Sequence, residues 1–84
     1  MVILIEEIFI NELKRCPESF QSAFRKSYQQ LKAVDSPTEL KGVVQLEKKL
    51  YKLTIGKSRI ALRAQGNTLI IGCFLYNQFY TSPE

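Results

Sequence analysis

The chain has 84 residues, a net charge of +4 and no histidine. That length holds one small domain, and 45% hydrophobic with 24% charged residues exclude a disordered, collagen-like or coiled-coil chain. Without histidine there is no Ser-His-Asp triad, no Cys-His dyad and no His-rich zinc site.

In chain order, Val2-Ile3-Leu4-Ile5 is a β-branched, apolar first strand cut short by Glu6-Glu7. It is too short for a signal peptide or for a membrane span, which needs about 20 apolar residues, so a cytoplasmic location with no membrane contact is expected. From Glu7, the residues Ile8, Phe9 and Leu13 share a helical face, and Lys14-Arg15 suit a helix C-terminus. Cys16-Pro17-Glu18-Ser19 ends that helix and opens another. Phe20, Ala23, Phe24, Ser27, Tyr28 and Leu31 then recur at three- and four-residue spacing, which predicts a helix over 17–33. Phe20, Phe24 and Leu31 are its core stripe, and Tyr28 is either core or partner contact. Asp35-Ser36-Pro37-Thr38-Glu39 reads as a turn in which Ser36 and Glu39 form a capping pair. Residues 43–49 are expected to form a loop or ragged turn.

From Tyr51 the period becomes two. Tyr51, Leu53 and Ile55 alternate with Lys52 and Thr54, and Gly56-Lys57-Ser58 is expected to turn the chain. Ile60, Leu62 and Ala64 alternate with Arg59, Ala61 and Arg63, and a second turn follows at Gln65-Gly66-Asn67. Residues 68–76 are apolar on both faces, with Leu69, Ile71, Cys73 and Leu75 set against Ile70, Gly72, Phe74 and Tyr76. The expected fold is α+β with the order β-α-α-β-β-β, a helical hairpin packed on one face of a small antiparallel sheet. Alternation puts Lys52, Arg59 and Arg63 on the other, open face. Cys16 and Cys73 are far apart with no CxxC spacing, and are read as reduced packing thiols.

Charge divides along the same line. Residues 1–40 carry five basic and six acidic groups, net −1. Residues 41–84 carry seven basic groups, all between 41 and 63, against Glu47 and Glu84, net +5. A basic half of this kind fits a polyanionic partner; a solvated face kept for solubility would have the same composition.

The segment Tyr51-Lys52-Leu53-Thr54-Ile55-Gly56-Lys57-Ser58-Arg59-Ile60 resembles the "yRiRiGdyRi" hairpin of RelE/ParE-superfamily toxins, the toxin halves of bacterial type II toxin–antitoxin pairs. Phe9-Ile10-Asn11-Glu12-Leu13-Lys14-Arg15-Cys16-Pro17 is similar to the family's opening "F-x-x-x-L-K-x-L-P" helix. Leu40-Lys41-Gly42 is similar to its "LkG", and Phe79-Tyr80 to its terminal hydrophobic-Tyr pair. The HigB-like branch is the nearest in pattern.

This resemblance implies a RelE-like fold over 1–84 and an endoribonuclease that cleaves mRNA, on the ribosome in many members, without metal or cofactor. A ribose 2′-OH attacks the adjacent phosphate, which needs a base, a proton donor and positive charge on the transition state. By resemblance Lys52 acts as base or phosphate ligand, Arg59 stabilises transition-state charge, and Tyr80 stacks on a base or assists proton transfer. Lys48, Lys49, Lys57 and Arg63 are expected to hold RNA by charge. The chain departs from the family pattern at Thr54, Ser58 and Leu75-Tyr76. The missing basic groups at Thr54 and Tyr76 keep two alternatives open: a ParE-type poison of DNA gyrase, and a decayed toxin that retains antitoxin binding only. The implied partner is a cognate antitoxin, whose acidic arm would complement the basic half in a hetero-oligomer.

Overall fold

The computed structural model describes residues 1–79. Its elements are β1 (Val2–Ile5), α1 (Glu7–Leu13), α2 (Glu18–Ala33), a 3₁₀ turn (Pro37–Glu39), β2 (Val43–Glu47), β3 (Leu50–Ile55), β4 (Ser58–Gln65) and β5 (Thr68–Tyr76). The sheet order is β1-β5-β4-β3-β2, with β1 parallel to β5 and the other pairs antiparallel. The α+β class and the helical hairpin on one sheet face are as the sequence predicts. Two details differ: the sheet is mixed, and it has a fifth strand where a loop or ragged turn was expected.

The extra strand has a physical explanation. β2 lies at the sheet edge, and only Val43 of its five residues is buried. A β-bulge falls between Gln45 and Glu47, so the period-two pattern that marks a strand is broken midway. The parallel pairing arises because β1 and β5 are joined through the whole intervening chain. Only neighbouring strands with tight turns are bound to be antiparallel.

The helical hairpin covers one face. Phe9 of α1 and Phe20, Phe24 and Leu31 of α2 pack with Leu53, Ile60, Leu62, Leu69 and Ile71 in a single core. Phe9 lies 5.0 Å from the Phe24 ring and 4.8 Å from Phe74, centroid to centroid. Tyr28 is half-buried against this core, with Lys32 Nζ 5.4 Å above its ring. Glycine occupies the first central position of the β3–β4 and β4–β5 loops, at φ 59° (Gly56) and 62° (Gly66). Among the described residues no other has positive φ, the signature of type II′ hairpin turns. At Ser36 the backbone N–H donates to Glu39 Oε2 at 3.0 Å, as the capping pair predicts.

Both cysteines are free. Cys16 is buried in the core, and burial pushes its thiol pKa up; Asn77 Nδ2, donating to Sγ at 3.6 Å, partly offsets this. Cys73 sits opposite Ala61, and only part of its surface is covered.

Candidate functional site

No helix covers the second face of the sheet among the described residues. Its composition follows from strand register, because directly paired residues point to the same side. One row across the sheet reads Glu47, Leu50, Arg63, Ile70 and Leu4. The next reads Val44, Lys52, Ala61 and Cys73. The third reads Thr54, Arg59 and Tyr76. Lys52 thus lies over the small Ala61, with Arg59 and Arg63 on its two diagonals, about 7–8 Å away backbone to backbone. Exposed apolar side chains flank these cations: Val44 and Leu46 on β2, Val2 and Leu4 on β1.

Two bulges in β5 decide which residues reach this face. The register slips between Ala61 and Leu62 and again between Arg59 and Ile60. The first slip moves Cys73 to the open side and Phe74 to the core, where it meets Phe9 and Phe20. The second sets Tyr76 opposite Arg59. The sequence grouping of Ile70, Phe74 and Tyr76 on one face is therefore corrected: Phe74 belongs to the core, while Ile70 and Tyr76 face the open side. Strict alternation cannot foresee this, because each bulge inverts the parity of everything after it. Tyr76, 43% exposed beside Arg59, is the site residue that sequence reasoning missed. The resemblance marks position 76 as one where the family has a basic residue, which flags the position and not the tyrosine.

The six basic residues of interest separate into groups. Lys52, Arg59 and Arg63 share the open face. Lys48 and Lys49 form the β2–β3 turn and, with Glu47, Leu50 and Arg63, line an open cavity of about 550 Å³. That turn is braced by Gln45 Nε2 donating to the Lys48 carbonyl at 3.1 Å and Ala64 N–H donating to the Lys49 carbonyl at 2.8 Å. Lys57 sits at the opposite end of the β3 ladder, about 17 Å away at 3.4 Å per residue. Arg63 Nη2 lies 3.5 Å from Glu6 Oε1, a long ion pair between half-exposed side chains. Such a pair is worth about 0–1 kcal/mol and yields readily to a phosphate. The side chains of Lys52 and Arg59 have no ion pair among the described residues.

The chain after β5 is tied down next to the β3–β4 turn. Gln78 Oε1 accepts from Lys57 N–H at 2.6 Å, and Gln78 N–H donates to the buried Ser58 Oγ at 3.1 Å. Asn77 Oδ1 accepts from Phe79 N–H at 3.0 Å, and the Phe79 ring meets Phe20 edge-on at 5.4 Å. Tyr80 lies outside the described residues.

The described residues contain no group of three or more His, Cys, Asp or Glu placed to hold a metal ion, and no helix long and apolar enough to cross a membrane. No family model matches the chain, and no curated protein matches it. Among solved structures it is similar to a chain of the RelB-RelE antitoxin-toxin complex from Methanococcus jannaschii, with a TM-score of 0.70 and 19% identity, covering 87% of this chain and 88% of that one. At that identity the likeness is one of fold, and two helices on a five-stranded mixed sheet give this chain the RelE-like fold.

Proposed function

We propose that the chain is the toxin of a type II toxin–antitoxin pair, of the HigB-like branch, acting in the cytoplasm as a metal-independent endoribonuclease on mRNA. The observation that carries this reading is the uncovered sheet face, where Lys52, Arg59 and Arg63 converge around Ala61 with no helix above them. Phosphate held there has positive charge on two sides, which favours the doubly charged transition state of 2′-OH attack. Lys52 binds the phosphate or takes the hydroxyl proton. Arg59 neutralises charge on the non-bridging oxygens, and Tyr76 offers a ring on which a base stacks. By resemblance Tyr80 joins them as proton donor or second stacking ring. Lys48, Lys49 and Lys57 draw RNA to the face by charge. The exposed apolar residues flanking the cations suit an antitoxin arm that is both acidic and apolar, covering the same face and so blocking it.

The test is induction of the chain in a bacterial host without antitoxin, with transcript 5′ ends mapped afterwards. Wild type is expected to arrest growth and cut mRNA, and Arg59→Ala to cut about a hundred- to a thousandfold more slowly. Unchanged arrest in Arg59→Ala overturns the role of Arg59. Thr54 and Tyr76, where the family pattern has basic groups, favour a second reading as a gyrase poison. A DNA-damage response without mRNA cleavage would support that reading, and an inert chain that still binds antitoxin would support a decayed toxin.

A further inference from the structure

The cavity at the β2–β3 turn combines features that simple attraction of a polyanion does not need. Three cations line it, Lys48, Lys49 and Arg63, and a carboxylate, Glu47, stands among them. The bulge in β2 is what brings Glu47 there. Without the slip between Gln45 and Glu47, Glu47 would keep the parity of Gln45, which pairs with Tyr51 on the helix-covered side. With it, Glu47 pairs with Leu50 and faces the open side next to Arg63. Among the described residues Glu47 makes no ion pair with any of the three cations. A negative charge in this position weakens the binding of a bare phosphate. It complements a ligand that also carries hydrogen-bond donors.

We propose that this cavity is a nucleotide subsite selective for guanine, in which Lys48, Lys49 and Arg63 hold the phosphate and Glu47 accepts from the base. An ionised carboxylate is acceptor-only, with two oxygens side by side. Guanine alone among the four RNA bases presents two adjacent donors, N1–H and the N2 amino group, on its Watson–Crick edge. Adenine and cytosine set an acceptor beside their amino group, and uracil flanks its single N–H with two carbonyls, so each meets repulsion at one oxygen. Leu50, half-buried between Glu47 and Arg63, supplies apolar surface for the ring. A volume of about 550 Å³ is within the usual range for small-ligand sites. The two bonds that brace the turn fix the backbone from which Lys48 and Lys49 project. Arg63 belongs both to this cavity and to the row beside Lys52, so a guanosine here would be a neighbour of the phosphate at Lys52 and Arg59. The biological meaning of the subsite rests on the ribonuclease reading; its existence does not.

The experiment is an NMR titration of the full chain with 5′-GMP, AMP, CMP and UMP in turn, alongside mapping of RNA cleavage positions. GMP is expected to shift the amides of Glu47 to Leu50 and of Arg63, and to bind at least about tenfold more tightly than UMP. Glu47→Gln should remove most of that preference and relax the base preference at one position near the cut. Lys48→Ala with Lys49→Ala should weaken all four nucleotides alike. Equal binding of all four by wild type, an undiminished preference in Glu47→Gln, or no response at the turn overturns the subsite. Guanine selectivity in a chain that cleaves no RNA upholds the subsite and overturns the ribonuclease reading instead.

Discussion

The two faces of one sheet are built from alternate residues of the same strands, and they are unlike in every respect. On the helix-covered side Leu53, Ile60, Leu62, Leu69 and Ile71 are at most 1% exposed. On the other side Arg59 and Arg63 are exposed and Lys52, Ala61 and Cys73 half-buried, with Ile70 alone of the described open-face residues buried. Burial of the first set supplies the folding energy. The second contributes almost nothing to it and is free to carry charge. Burial and surface charge are thus separated by one residue along the strand, and substitutions on the two faces should have nearly independent effects.

The largest expected effect is on the covered side. Phe9→Ala removes a ring packed on both Phe24 and Phe74 and should cost about 3–5 kcal/mol in chemical denaturation. For a domain whose total stability is on the order of 5–15 kcal/mol this approaches unfolding. A loss under about 1 kcal/mol would mean that the aromatic cluster is not the core it looks to be. Next are the turns that join the faces. Gly56→Ala and Gly66→Ala each force a side chain into left-handed backbone, at about 1–2 kcal/mol. Gly56→Ala should be the worse, since its Cβ would stand 3.3 Å from Gln78 Oε1 while nothing lies within 4 Å at Gly66. Equal costs would show that Gln78 simply moves aside. On the open face, Lys52→Ala and Arg59→Ala should leave the denaturation midpoint within about 0.5 kcal/mol of wild type. A larger loss would tie the cations to the fold and blur the division.

The smallest effect concerns pH. Burial raises the Cys16 thiol pKa in the folded chain above its unfolded value. Its contribution to stability is therefore intact below the ordinary thiol pKa and is lost as pH rises through the folded value. Melting temperatures followed from about pH 8 to 10 should fall more steeply in wild type than in Cys16→Ala. Parallel profiles would place the alkaline loss elsewhere.

Regular periods made most of the fold legible. The stripe Phe20, Phe24, Leu31 gave α2, and alternation from Tyr51 gave β3 and β4 with Lys52, Arg59 and Arg63 on the correct side. Legibility failed wherever a bulge intervened. The bulge before Glu47 hid β2, and the two in β5 put Cys73 on the open side and Phe74 in the core, the reverse of strict alternation. Such shifts depend on the partner strand and leave no local mark. The pairing of β1 with β5 was likewise out of reach, being a contact between distant parts of the chain. The roles given to individual cations came from resemblance. Periodicity supplied their side of the sheet and nothing of their chemistry.

That last pairing bears on how the molecule comes into being. Val2 pairs with Thr68 and Ile5 with Ile71, so the first strand made finds its partner only when synthesis has nearly passed through the last. Until then β1 and the β4 edge of the growing sheet lack their shared neighbour and present unsatisfied backbone groups to any other strand nearby. Contacts at such separation also slow folding, because the loop must close before they repay its entropy. During translation there is accordingly an interval in which β2 to β4 and their cations are already made while the sheet is still incomplete. A binding partner that recognises the finished sheet has nothing to hold until that interval ends.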